Sequence, residues 1–129
     1  MAHANGNQDT DLGTIITHTA ASAGVTGAQL DGTNCRGVLV FINISAITGT
    51  SPTLTVSIKG LDSNGNAYTI LQSAALTATG LTVLRVYPSL TAVANTTAND
   101  IIPVSWRIDT TIGGTTPAVT AKISANLAY

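Results

Sequence analysis

Residues 36–47, RGVLVFINISAI, set Val38, Val40, Ile42 and Ile44 on one side of an extended backbone and Leu39 and Phe41 on the other. The stretch therefore reads as a central strand, covered on both faces in its first half. After Thr48-Gly49-Thr50-Ser51-Pro52, a run of turn formers, residues 53–61 turn Leu54, Val56 and Ile58 inward and Thr53, Thr55, Ser57 and Lys59 outward. The cleanest alternation lies in 118–128, where Val119, Ala121, Ile123, Ala125 and Leu127 interleave with Thr120, Lys122, Ser124 and Asn126. Residues 101–109, IIPVSWRID, place Val104, Trp106 and Ile108 on one face. Two further strands are predicted at 81–87, LTVLRVY, ended by Pro88, and at 12–20, LGTIITHTA, where the alternation is imperfect. Together these positions name an expected core of Val40, Ile42, Val56, Ile58, Trp106, Ile108, Ile123 and Ala125.

The connections carry their own signals. Asn64-Gly65 in DSNGNAY is the dipeptide of a tight hairpin, leading to a strand near Ala67 to Ser73. Gly113-Gly114 predicts a second hairpin, joining 101–109 to 118–128. Between Pro88 and Ile101, SLTAVANTTAND allows a helical turn, though its threonines and asparagines favour a long loop. Six to eight short strands with intervening turns predict an all-β, antiparallel sandwich, immunoglobulin-like or jelly-roll, with a small barrel as the other geometry. The cysteine-tryptophan-cysteine spacing of antibody domains is absent. Residues 1–11 lack apolar alternation and read as a polar arm, leaving 12–129 as one sandwich domain.

Composition sharpens this picture. Charged residues are 9% of the 129, against about 25% in an ordinary domain. All six acids are aspartates, Asp9, Asp11, Asp31, Asp62, Asp100 and Asp109, and the bases are Arg36, Arg85, Arg107, Lys59 and Lys122. A net charge of −1 supplies too little positive field for nucleic acid or an anionic membrane. No apolar run approaches the roughly 18 residues of a membrane span, and the N-terminus has no signal-peptide core, so the chain reads as made in a cytoplasm.

No residue pattern names a reaction. Cys35, in DGTNCRG, reads as a small hydrophobe or idle thiol, because its possible histidine partners, His3 and His18, stand in the N-terminal region. Asp62, Asn64 and Asn66 alternate like the start of a calcium loop, but the glycine comes two places early and no glutamate closes it. The aspartates fall mostly in turns or at strand ends, unsuited to a glycosidase pair. The glycosylation patterns at Asn43 and Asn95 are chance matches without an export signal. His18 reads as solvated or hydrogen-bonded, and Trp106 as core rather than a sugar platform with Tyr87. No catalytic residue, cofactor or metal is expected, and the chain reads as non-enzymatic.

Lysine is a common guard of sheet edges, and here two lysines serve the whole chain. Bulges and loops must protect the edges, or neighbouring subunits must cover them. The runs RGVLVFINISAITGTSPTLTVSIKGLDSNGNAYTIL, ALTATGLTVLRVYPSL and DIIPVSWRI, within about 36–128, resemble small β-sandwich virion structural proteins of tailed bacteriophages. The resemblance lies in a GV-V-FI strand, a TGTSPTL turn, a hairpin, an L-VYP strand and a P-WR strand. It implies a capsid decoration or cement protein on the outer head surface, bridging subunits of the major capsid protein and self-associating as a trimer or other homo-oligomer. A tail-tube, adaptor or fibre component is the alternative within the virion, and a carbohydrate-binding module the alternative outside it.

Overall fold

A computed structural model describes residues 11–129, in which the chain is a mostly antiparallel β-sandwich, β5 and β6 alone pairing parallel among the described strands. Its strands are β1 (Asp11–Ala21), β2 (Leu30–Asp31), β3 (Gly37–Leu61), β4 (Ala67–Gln72), β5 (Gly80–Val86), β6 (Thr97–Ala98) and β7 (Ser105–Ala128). The expected arm thus lies, except for Asp11, outside the described residues.

Two strands dominate. β3 and β7 are 25 and 24 residues long and pair antiparallel from Gly37↔Ala128 to Gly60↔Trp106. The hydrogen-bonded order is β1-β7-β3-β5-β6, with β2 added to β7 and β4 to β3. One half of the β3–β7 ribbon carries β1, β5 and β6, and the other carries β2 and β4. Were the ribbon flat, Thr110 would lie roughly 35 Å along β7 from Ala121, the neighbour of His18. Instead His18 Nε2 and Thr110 Oγ1 are 2.9 Å apart. Asn95, close to β6, likewise donates from Nδ2 to the Gln72 carbonyl of β4 at 3.1 Å. The ribbon is therefore doubled over, and its two halves are the two layers.

The doubling explains the core. All eight expected core residues are fully enclosed at 0% exposure. They join Val38, Ile44, Leu54, Val119 and Ala121, and Leu84 and Val86 of β5, in one cluster that spans both halves of β3 and β7. Leu39 and Phe41, on the opposite side of β3, are only half-buried, so the second covering layer expected there is partial.

Two expected turns are corrected. Neither Thr48–Pro52 nor Gly113-Gly114 reverses the chain; each lies inside a continuous strand, and they face one another across the ribbon with Thr50↔Thr115 and Thr53↔Gly113 paired. Register slips between Ile44 and Ala46, Thr48 and Thr50, and Thr50 and Thr53 make this a bulged bend. Val104 is corrected as well: it precedes β7 and is 64% exposed, and Ile102 fills the core instead, its N–H donating to the Arg36 carbonyl at 3.0 Å. The segment 89–100 forms no helix; apart from β6 it is a loop with an isolated turn, in which the Val93 carbonyl accepts the N–H groups of Thr96 and Thr97 at 3.1 and 3.0 Å.

The Asn64-Gly65 hairpin forms between β3 and β4, with Gly65 alone at positive φ, +83°. Asp62 and Asn66 close a three-residue loop through Asp62 N–H to the Asn66 carbonyl at 3.0 Å, the type I turn with a left-handed glycine rather than the two-residue form. At the open edge, β1 carries three register irregularities, between Asp11 and Gly13, Thr14 and Ile16, and His18 and Ala21. Bulges therefore interrupt the flat edge that lysines would otherwise guard.

Candidate functional site

The bend is built from a repeat in the sequence. Gly49-Thr50-Ser51-Pro52 and Gly114-Thr115-Thr116-Pro117 are 65 residues apart, and six of the fourteen positions of 45–58 and 110–123 are identical. Backbone conformation repeats with the residues: φ is +123° at Gly49 and +108° at Gly114, +49° at Ser51 and +46° at Thr116. The register repeats too, since Ile47↔Val119 and Leu54↔Ile112 exchange under the same offset. A local two-fold axis thus passes by the Thr50–Thr115 pair.

Each glycine is required by the opposite strand. A Cβ on Gly49 would stand 2.8 Å from the Thr116 carbonyl oxygen and 2.9 Å from Pro117 Cα. One on Gly114 would stand 2.7 Å from the Ser51 carbonyl oxygen and 2.9 Å from Pro52 Cα. The prolines, lacking an N–H, sit where bulging has interrupted the ladder. Ser51 and Thr116 have a Cβ in the left-handed region, at a cost of about 1–3 kcal/mol each. Thr50, Ser51, Thr115 and Thr116 are all exposed, and none of their hydroxyls bonds to a described residue.

The main charged cluster lies on the half of the ribbon that carries β2 and β4. Lys59 and Arg107 are cross-strand neighbours, and both reach Asp109: Nζ at 3.4 Å, and the guanidinium Nε donating at 3.0 and 3.2 Å. Asp109 Oδ1 also accepts the Gly27 N–H at 3.1 Å. Beside it Thr110 exchanges hydrogen bonds with Val25, donating its N–H to the carbonyl at 2.8 Å and accepting the Val25 N–H on Oγ1 at 2.9 Å. A cavity of about 400 Å³ lined in part by Ser22, Thr26, Lys59, Gln72 and Asp109 follows this seam. Its charges fasten the loop of residues 22–29 to the sheet.

His18 stands in the seam between layers. Burial lowers its pKa below the usual value. Because Thr110 Oγ1 already accepts from Val25, its own proton is free for Nε2 of a neutral ring. The ring borders a second cavity of about 260 Å³ lined by Thr17, Thr19, Asn43, Ser45, Thr120 and Lys122.

Cys35 is far from this histidine. It precedes Gly37, which pairs with Ala128, seven residues and roughly 23 Å along β7 from Ala121. Its thiol donates to the Gly32 carbonyl at 3.0 Å, and burial, with Asp31 nearby, raises its pKa, the reverse of what a nucleophile needs. His3 and Asp9 lie outside the described residues.

Asp62 is occupied by its own turn. It accepts the Asn64 and Asn66 N–H groups at 2.8 Å each on Oδ1, and the Asn66 amide at 3.0 Å on Oδ2, the last being the main cause of its lowered pKa. Asp31 is held similarly by the Thr33 hydroxyl and N–H, at 2.6 and 2.8 Å, which lowers its pKa. Asp100 and Asp11 accept the N–H groups of Ile101 and Gly13 at 2.8 Å. No cluster of three or more His, Cys, Asp or Glu capable of holding a metal ion occurs among the described residues.

Trp106 is wholly enclosed, and its indole N–H has no acceptor among the described residues. Tyr87 is half-buried, its hydroxyl donating to the Tyr129 carbonyl at 3.4 Å. Comparisons with models of protein families, with curated proteins and with solved structures gave no match.

Proposed function

We propose that the chain is a non-enzymatic virion structural protein of a tailed bacteriophage, a decoration protein that binds the outer head surface and bridges subunits of the major capsid protein. The sequence resemblance supplies the virion. The observation that supports attachment through neutral contacts is where charge lies: Lys59 and Arg107 are tied to Asp109, which also holds a loop, while the exposed Arg36, Arg85 and Lys122 stand outside the bend. Asp31 and Asp62 are held in their own turns. The bend has no charged residue from Ile44 to Val56 or from Thr110 to Ala121. Such a surface meets another protein without stripping water from ions. On a symmetric lattice many modest contacts suffice, because each further contact of an already tethered oligomer is nearly intramolecular.

The test is addition of the purified protein to phage heads assembled without it, at low salt and again at about half-molar salt, where charge interactions are screened within a few ångströms. Occupancy nearly equal at the two salts is expected. Failure to bind heads in either condition overturns decoration, and release of most copies by salt alone overturns attachment through neutral surface. Density on the tail instead of the head in images of whole virions moves the protein to the tail.

A further inference from the structure

We infer that the doubled bend is the contact face, and that Ser51 and Thr116 bind two identical partner segments related by a two-fold axis. This rests on the decoration reading and assigns its attachment surface. Three observations lead to it.

The first is strain at two residues of the bend whose hydroxyls have no internal use. A serine and a β-branched threonine occupy left-handed backbone at +49° and +46°, where glycine or asparagine is the undemanding choice. Their exposed hydroxyls bond to no described residue. Residues held in unfavourable conformations gather at binding sites, where the side chain is needed for something outside the fold.

The second is duplication. Motif, φ values, register and the close approach of each glycine to the opposite strand all occur twice, related by the axis at Thr50–Thr115. One copy of this chain therefore offers two equivalent sets of hydroxyl and proline groups. Two equal and oppositely directed surfaces match a partner that itself presents two equal surfaces, which is what two copies of one subunit present where they meet at a dyad.

The third is chemistry. With no charged residue from Ile44 to Val56 or from Thr110 to Ala121, the bend suits neither phosphate nor a charged polymer; it suits backbone amides and small polar side chains of a protein.

The experiment measures binding of wild type, Ser51→Gly, Thr116→Gly and the double variant to heads assembled without this protein, with Thr79→Ala as an exposed control outside the bend. Glycine removes the hydroxyl and accepts the backbone conformation, so the free variants should melt within a few degrees of wild type. Each single change should weaken binding roughly fivefold and by a similar amount, and the double change about 25-fold, with the control unaffected. Wild-type binding retained within about twofold by the double variant overturns the inference and leaves the decoration reading standing. Loss through one position alone overturns the two-fold match. Absence of wild-type binding overturns both. Electron microscopy of wild-type-decorated heads reads the geometry directly: the bend should face the shell over a two-fold junction of capsid subunits, and a bend turned to solvent, or centred on a capsomer, overturns it whatever the variants do.

Discussion

His18 on β1 and Thr110 on β7 join the two layers of the sandwich through a hydrogen bond of 2.9 Å. An unfolded histidine titrates near pH ~6.5, whereas burial resists protonation of this ring. Above that pH the ring is neutral in both states and the contact is intact. As pH falls through ~6.5 toward the lower folded value, the unfolded chain takes up a proton first, and stability is lost. The urea midpoint should therefore fall between about pH 7.5 and pH 5, a window above the range where Asp31 and Asp62 titrate. In His18→Gln most of that fall should vanish; an unchanged slope would assign it elsewhere.

Ile42 is fully enclosed between the layers. Ile42→Ala should cost about 2–5 kcal/mol in equilibrium unfolding, through lost burial and the cavity left behind. A loss below about 1 kcal/mol would mean that the layers close over the gap.

Gly65 and Gly114 separate two costs of adding a methyl group. Both have positive φ, but a Cβ on Gly65 meets nothing within 4 Å, whereas one on Gly114 meets the Ser51 carbonyl oxygen at 2.7 Å. Gly65→Ala should cost about 1–2 kcal/mol from conformation alone. Gly114→Ala adds overlap with the facing strand and should cost at least about 1 kcal/mol more in the same denaturation experiment.

Asp109 gathers Lys59, Arg107 and the Gly27 N–H. Asp109→Asn should destabilise by about 1–3 kcal/mol, since two cations lose their shared acceptor. Amide exchange at Val25 and Gly27 should accelerate more than exchange at Val40 or Ile123. Uniform acceleration would show that the loop has no separate opening.

Alternation was enough to find the buried positions, because a strand in a sandwich must turn every second side chain to the core; Val56, Ile58 and Ile123 are examples. It failed at the bend for a physical reason. A glycine at positive φ and a proline without an N–H serve a reversing turn and an interior bulge equally well, and the choice belongs to a facing strand some 65 residues away. The signal for that facing strand was the second copy of the motif, Gly114 to Pro117, which reads as an ordinary Gly-Gly turn when taken alone. Val104 failed otherwise: its parity with Trp106 holds only if the strand already exists there, and β7 begins at Ser105. For His18 the sequence leaves a solvated and a hydrogen-bonded ring open; the ring is buried and hydrogen-bonded, and its partner, 92 residues along the chain, leaves no local signal.

Because both layers are cut from the same two strands, neither can be completed without the other. During synthesis β3, complete at Leu61, emerges long before β7, which begins only at Ser105. Until β7 follows, the 25 residues of β3 have only β4 and β5 as strand partners, with one whole ladder edge open. Pairing them with β7 closes loops of dozens of residues, so folding should be slow for the size of the chain, in the millisecond-to-second range of non-local β proteins. Premature termination before residue 105 should yield aggregate rather than a smaller folded product.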